Sequence, residues 1–235
     1  MKSAVRFGLA LITAIVVLLP ARAEAETYTF STCFDNNSGV CSELASQLLV
    51  EVTQSADGYV EFTFTNEIGI KSSITDIYFD ADGYLSNMVI SGYSDGVSFT
   101  AGSGSPSLPP GGSDATPPFV VTSSLLADSD SPKVAKNGIN SADEYLTLQF
   151  QITDNQSFAQ IIAAIEEGIN EGDGIRIAAH VQAIGSNGES DTFICCTGGG
   201  TPSPEPASMA LFGLLAVGAA YRLRRRGSAE AGPTT

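Results

Sequence analysis

The strongest constraint on the fold is an alternation of apolar and polar residues with a period of two. It runs through 58–66 (GYVEFTFTN), 144–152 (EYLTLQFQI) and 174–184 (GIRIAAHVQAI). Such an alternation buries one face of a β-strand and leaves the other face in water. Less regular strand candidates are 47–54, 73–80, 84–91 and 119–126. The chain is therefore predicted to be mainly β.

Turn-forming dipeptides separate these candidate strands. They are Asp57-Gly58, Asp82-Gly83, Asp95-Gly96 and Asn187-Gly188. Short strands with such turns are typical of sandwiches and barrels, and we expect an antiparallel β-sandwich of the jelly-roll type. Because Asn187-Gly188 follows 174–184 directly, the domain should end in a hairpin.

One segment, 157–172, has the spacing of an amphipathic helix. Its apolar residues recur every three or four positions, at Phe158, Ile161, Ile162, Ile165 and Ile169. Ser157 and Gln160 fit a capping box at its start, and Gly168 or Gly172 can end it. We expect this helix to pack on the sandwich.

The first 25 residues have the layout of a secretory signal peptide. Lys2 and Arg6 precede an apolar run over 7–19, and the small residues of ARAEA follow Pro20. We predict cleavage after Ala25 or two residues earlier, which would export the rest of the chain.

A second apolar run, 207–221, is predicted to be a transmembrane helix. As a helix its 15 residues span about 22 Å, which is short for a bilayer core of about 30 Å. A basic cluster follows, made of Arg222, Arg224, Arg225 and Arg226. Arginines at this place stop transfer across the membrane and stay in the cytoplasm, together with the tail 227–235.

The residues around this run resemble the PEP-CTERM sorting signal of exported proteins in Gram-negative bacteria. The resemblance rests on Pro204, Glu205 and Pro206, the short helix and the arginine cluster, within residues 202–226. It implies recognition of the three-residue motif by an exosortase, a membrane cysteine peptidase, and a setting in which exopolysaccharide is made. The tail GSAEAGPTT departs from the pattern, since such signals usually stop soon after the arginines.

A looser resemblance covers residues 144–195. A helix, a strand ending in His180-Val181-Gln182, a glycine-rich turn and an acidic last strand are similar to the final part of many PEP-CTERM ectodomains. It implies a small β-rich secreted domain with no established catalytic role.

The predicted organisation has one folded domain between two targeting segments. The ectodomain would cover 26–197, with a long surface loop of glycine, proline and serine at 101–118. The segment 198–203 would be a flexible stalk, and the sorting signal would cover 204–226.

The exported part is strongly acidic. Residues 26–205 contain four basic residues and all but two of the chain's 26 acids, Glu24 and Glu230, which gives a net charge of −20. This charge argues against nucleic acid or an anionic membrane surface as a partner. It favours solubility, divalent cations or basic partners, and solubility alone explains it well.

Four cysteines are expected to form one or two disulfides in an oxidising compartment. They are Cys33, Cys41, Cys195 and Cys196. Pairing Cys33 with Cys41 would leave a vicinal pair, whereas the other two pairings tie the first strand to the last. We favour a pairing of that cross-linking kind. A metal site is a poor alternative, because there is no CxxC and only one histidine.

The acidic residues offer weak calcium candidates. Asp80 and Asp82, followed by Gly83, look like the start of a calcium loop, but no glutamate completes it, and a hairpin turn explains the same residues. A second acidic patch is formed by Asp128, Asp130, Asp143 and Glu144. We interpret it as a solvated loop, and we predict no other cofactor.

Signs of catalysis are few. His180 is predicted to face outward with Arg176 and Gln182, as a structural or surface histidine, and there is no G-x-S-x-G elbow. Nothing singles out a pair of carboxylates of the glycosidase type. Sugar-binding surfaces often use flat aromatic faces, but the chain has no tryptophan, and most of its seven tyrosines and 12 phenylalanines are expected in the core.

These observations predict an exported, non-enzymatic protein of the surface or extracellular matrix, associated with exopolysaccharide or biofilm. Two other classes remain open at this point. One is a calcium- or glycan-binding adhesion module, and the other is a secreted hydrolase.

Overall fold

A computed structural model describes residues 25–34, 39–56, 58–81, 83–102, 109–153, 156–170 and 173–197. The predictions for the signal peptide before Ala25, the stalk, the sorting motif, the transmembrane helix and the tail lie outside these residues. Within the described part, no helix is both long and apolar enough to cross a membrane.

The described residues form ten strands and two α-helices. The strands are β1 (Ala25–Cys33), β2 (Leu48–Ala56), β3 (Tyr59–Asn66), β4 (Ser73–Asp80), β5 (Leu85–Tyr93), β6 (Phe99–Ala101), β7 (Leu126–Ser129), β8 (Tyr145–Ile152), β9 (Arg176–Ile184) and β10 (Glu189–Thr197). The helices are α1 (Cys41–Ala45) and α2 (Phe158–Asn170), with a 3-10 turn at Gly112–Asp114 and a π-helical turn at Lys133–Asn137.

All ten strands belong to one antiparallel sheet. Their order is β5-β8-β3-β2-β1-β10-β9-β4-β7-β6. The two outermost strands, β5 and β6, lie beside each other, so the sheet is nearly closed. The structure confirms a mainly antiparallel β fold, but one continuous sheet replaces the two separate sheets of the expected sandwich. Strands before and after the long loop at 101–118 are part of this same sheet.

The core lies between the two halves of the curled sheet. Phe62 of β3 contacts Phe79 of β4 with ring centroids 5.2 Å apart, although these strands are far apart in the sheet order. Phe150 of β8 packs against both, at 5.3 and 4.6 Å. The period-two alternation thus places Phe62 and Phe150 inward, as predicted for 58–66 and 144–152.

The helix α2 has the predicted start. The backbone N–H of Ser157 donates to Gln160 Oε1 at 2.8 Å, and the N–H of Gln160 donates to Ser157 Oγ at 3.3 Å, which is a capping box. The helix buries Phe158, Ile161 and Ile165 and packs against β9 and β10. The predicted hairpin between β9 and β10 is also present.

The strand predicted at 119–126 is largely wrong. Only Leu126 of that segment belongs to a strand, β7. Ser124 has a φ of 66° within a turn, and Thr122 Oγ1 accepts a hydrogen bond from the N–H of Ala81 at 2.8 Å. These side-chain and turn contacts replace a strand ladder over 119–125.

Candidate functional site

One transverse row of polar residues crosses the outside of the sheet. Cross-strand register aligns Thr192 of β10, His180 of β9, Asp76 of β4 and Asp128 of β7. His180 Nδ1 lies 3.0 Å from Asp76 Oδ2. Lys133 donates to Asp76 Oδ1 at 3.2 Å and pairs with Asp128. Lys133 and the two carboxylates therefore form an ion-pair network that fastens the π-helical turn to β4 and β7, with His180 hydrogen-bonded to Asp76.

The two carboxyl groups of this row differ in proton affinity. Burial by itself raises the pKa of Asp76, but hydrogen bonds with His180, Asp128 and Thr75 and the charge of Lys133 outweigh it and hold the pKa well below its usual range. Burial and the hydrogen bond with Asp76 raise the pKa of Asp128, against the opposing effect of Lys133. As the pH falls, Asp128 takes up a proton before Asp76 does.

No hydroxyl group among the described residues is hydrogen-bonded to the His180 ring, and the nearby Thr75 hydroxyl donates instead to Asp76 Oδ2 at 2.8 Å. The His180 side chain is 15% exposed, and its Nδ1 has both Asp76 and Gln182 as hydrogen-bond partners in the described part of the chain. His180 faces outward with Arg176 and Gln182, in the orientation inferred from the alternation. The sequence did not single out Asp76 as a site residue. Its outward position in the candidate strand 73–80 can be read from the sequence, but the pairing of this strand with β9, which brings Asp76 to His180, cannot.

Arg176 anchors a segment that crosses the same outer face, residues 109–121, here called the strap. Its guanidinium donates to the carbonyl oxygens of Pro117 and Pro118, each at 2.7 Å, and pairs with Asp80. It also lies over the Phe119 ring, 5.3 Å from the centroid. The strap thereby covers an apolar patch on the outer face of the nearly closed sheet. In this patch Phe119 of the strap packs with Tyr78, Leu126 and Ala178.

Asp80, the calcium candidate that lies within the described residues, is at the edge of the strap. Asp80 Oδ2 accepts the N–H of Val120 at 3.0 Å in addition to its pairing with Arg176. Asp82 lies outside the described residues. The described residues contain no group of three or more His, Cys, Asp or Glu side chains placed to hold a metal ion. A calcium site at Asp80 and Asp82 stays a prediction.

The second acidic patch does not form a single site. Asp130 accepts hydrogen bonds from Ser98 at 2.6 Å and Thr100 at 2.9 Å, which lower its pKa. Glu144 accepts the backbone N–H of Asn140 at 2.6 Å. Asp128, as described above, pairs with Lys133. Asp143 has no such partner among the residues described, and the three other carboxylates serve separate local contacts.

A groove of about 960 Å³ opens where the sheet fails to close, between β5 and the end of β6. Its lining includes Leu85, Asn87, Met88, Gly102, Thr122 and Leu125. Asp80, the one acid in its described lining, is the partner of Arg176. The groove therefore has hydroxyl and amide groups but no convergent acid–base pair among the residues described.

The disulfide pairing differs from the one we favoured. Cys33 is bonded to Cys41, with their Cα atoms 5.9 Å apart. Cys195 is also disulfide-bonded, and the side chain of Cys196 lies outside the described residues. The expected cross-link between the first and last strands is wrong, because the register places Cys33 opposite Phe193 and Cys195 opposite Phe30.

The tyrosines also depart from expectation. Tyr28 and Tyr78 are buried, but Tyr59, Tyr93 and Tyr145 are 40%, 62% and 40% exposed. Burial raises the pKa of the two buried phenols above its usual range, with nearby carboxylates adding to the effect. The exposed rings of Tyr59 and Tyr145 make the outside of β3 and β8 more aromatic than the sequence indicated.

The predicted sorting residues lie outside the described part of the structure, and the comparisons with known proteins bear on them directly. No curated protein and no solved structure matches the chain. A family model, described as the PEP-CTERM protein-sorting motif, matches residues 204–226, which include Pro204, Glu205, Pro206 and the arginine cluster. The chain therefore carries a PEP-CTERM sorting motif, which indicates an extracellular protein sorted by an exosortase.

Proposed function

We propose that this chain is a non-enzymatic protein of the cell surface or extracellular matrix, associated with exopolysaccharide after exosortase sorting. The observation that carries the proposal is the sorting motif at 204–226, placed after a β domain that ends at Thr197. The motif implies a membrane-anchored precursor and then a surface or extracellular product.

The arrangement of charged groups supports a non-enzymatic role. The Asp–His pair on the outer face is held by Lys133 and has no hydroxyl nucleophile bonded to the ring in the described residues. A general base acts only within hydrogen-bond reach of the group that it deprotonates. The groove between β5 and the end of β6, here called the seam groove, has no histidine in its described lining.

The sorting part of the proposal is tested by fractionating host cells. Wild-type protein is expected in the extracellular fraction, whereas a variant with Pro204, Glu205 and Pro206 changed to alanine should stay in the membrane fraction. The matched control changes Thr201, Pro202 and Ser203 to alanine. Equal distribution of the two variants would contradict recognition of the motif.

A second candidate function is an adhesion module that binds glycan or calcium. The exposed tyrosines favour a glycan as the ligand of such a module. For calcium, a ligand at 100 times its dissociation constant adds about 2.7 kcal/mol to the free energy of unfolding. An unchanged melting temperature in excess calcium would exclude calcium binding as the function.

A further inference from the structure

The outward side chains of β3 and β8 form a paired polar and aromatic surface. We call it the β3–β8 outer face, and it comprises Tyr59, Glu61 and Thr63 of β3 with Tyr145, Gln149 and Gln151 of β8. The register aligns Tyr59 with Gln151, and Glu61 with Gln149. These residues alternate with fully buried neighbours, so their side chains all lie on the same side of the sheet.

Hydrogen bonds hold the middle of this face in place. Gln149 Nε2 donates to Glu61 Oε1 at 3.1 Å, and Gln151 Oε1 accepts from Asn87 Nδ2 at 2.7 Å. The Thr63 hydroxyl lies 2.9 Å from that of Thr147. Glu61 Oε2 has no hydrogen-bond partner among the described residues. Side chains ordered in this way lose little entropy when they bind a ligand.

An exposed tyrosine stands at each end of the face. Tyr59 and Tyr145 are both 40% exposed and lie on different strands. The six-residue span from Tyr145 to Gln151, the partner of Tyr59, corresponds to about 20 Å of strand. Tyr145 lies beside Gly92 of β5, since a Cβ atom added to Gly92 would be 3.6 Å from the Tyr145 ring. The rings therefore bracket a strip long enough for several sugar units.

The charge of this side of the barrel has one sign. The five adjacent strands β5, β8, β3, β2 and β1 contain no lysine or arginine, and their acids are Glu26, Glu51 and Glu61. The cations of the exported part, Lys71, Lys133, Lys136 and Arg176, all lie outside these strands. An anionic polymer would be repelled by this surface and a cationic one attracted.

We propose that the β3–β8 outer face binds a polysaccharide that carries protonated amino sugars, an inference that rests on the proposed matrix function and names its partner. The tyrosine rings pack against the apolar faces of the sugars. Glu61 accepts the ammonium group through its available oxygen, and the ends of Gln149 and Gln151 meet the hydroxyl groups. Tyr59, Tyr145 and Gln151 are exposed on the face, and Glu61 and Gln149 are partly exposed there.

The test uses protein recovered from its host and chitosan oligosaccharides as the probe, at mildly acidic pH and low salt, by calorimetry. Binding should be measurable for chitosan and absent for alginate, and fully acetylated oligomers should bind more weakly. Tyr59→Ala and Tyr145→Ala should each weaken chitosan binding about threefold to tenfold. Glu61→Gln should weaken binding and reduce its dependence on salt.

The matched controls are Tyr93→Ala and Glu167→Gln. Tyr93 is exposed but pairs in register with the inward residue Leu146, and Glu167 is exposed on α2. Both should bind chitosan as wild type does. Thermal melting of each variant verifies that it is folded, and the isosteric Glu61→Gln removes charge without removing volume.

Three results would overturn the inference. They are equal binding of alginate and chitosan, equal binding of acetylated and chitosan oligomers, and wild-type affinity in all three face variants. If chitosan does not bind although the protein is sorted to the matrix, the inference fails and the proposed function stands. If a protein that never leaves the membrane binds chitosan through this face, the inference stands and the proposed function fails.

Discussion

At the scale of single residues, Arg176 connects the barrel to the strap. Its guanidinium contacts Asp80, two strap carbonyl groups and the Phe119 ring, and its side chain is 8% exposed. Removing one partner of a buried pair leaves the other charge uncompensated. The contacts of Arg176 therefore predict a large loss of stability on substitution.

Arg176→Met should lower the free energy of unfolding by roughly 3 kcal/mol, since it keeps the apolar stem and leaves Asp80 unpaired. Urea unfolding followed by fluorescence measures the change. Lys136→Met, at an exposed position, should stay within about 0.5 kcal/mol of wild type. A similar, small effect for both variants would show that Arg176 does not hold the strap.

The lowered pKa of Asp76 predicts how the stability of the folded protein changes with pH. Its pKa is lower in the folded protein than in the unfolded chain, where a carboxyl group titrates near about 3.9. Its stabilising contribution is therefore present above that pH and is lost as the pH falls toward the folded pKa. Asp128, with a raised pKa, has the opposite sign: its contribution is present below the unfolded pKa and lost as the pH rises.

Asp76→Asn should therefore destabilise the protein most at neutral pH, and the difference from wild type should shrink as the pH falls below about 4. Asp128→Asn should cost less at neutral pH, since ionising Asp128 is unfavourable there. Melting temperatures of the three proteins across this pH range test both statements. A difference for Asp76→Asn that grows in acid would contradict the assignment.

At the scale of elements, the helix α2 shows what local sequence can predict. Its apolar spacing and its capping box depend on residues three or four apart, and both are present in the structure. Gly168 was expected to be able to end the helix, but it lies within it. The reason is a long-range contact, since a Cβ at this position would lie 2.2 Å from the carbonyl oxygen of Ile175.

Gly168→Ala should accordingly destabilise the protein by about 1–3 kcal/mol through overpacking, although alanine is favoured over glycine in a helix by about 1 kcal/mol. Chemical unfolding gives the magnitude. Ala163→Gly at an exposed position of α2 is the control and should lose about 1 kcal/mol. A stabilised Gly168→Ala variant would mean that the helix does not approach Ile175 so closely.

The disulfide joins two elements, the end of β1 and the start of α1. Replacing Cys33 and Cys41 with serine opens a loop with a sequence separation of 8, which should cost about 2.5 kcal/mol. Peptide mapping under non-reducing conditions verifies the pairing. A peptide that links β1 to β10 through cysteines would contradict it.

The sequence could not predict which strands far apart along the chain lie beside each other in the sheet. The alternation in 58–66 gives the inward and outward residues of β3, but it does not say that β8 lies beside it. The same holds for Asp76 and His180, whose contact depends on the register of β4 with β9. Residues 109–118 of the strap were predicted only as a surface loop, and 119–121 as part of a strand, because neither pattern reveals the anchor at Arg176.

At the scale of the whole molecule, the sheet order sets where the surfaces lie. Because β5 and β6 are the two ends of one sheet, their meeting creates the seam groove, and the face of β3 and β8 lies beside it. A two-sheet sandwich has the same strand patterns, and so the sequence could not separate the two architectures. The sorting motif, in contrast, is a contiguous pattern and was found from sequence alone.

The central claim is that this β domain is delivered outside the cell by exosortase sorting. Intact mass and C-terminal sequencing of the protein from its native host, with and without an active exosortase, test it most directly. The account predicts a chain that lacks its first 23 to 25 residues and ends near Glu205 only when the exosortase is active. A chain that still ends at Thr235 in both strains would contradict it.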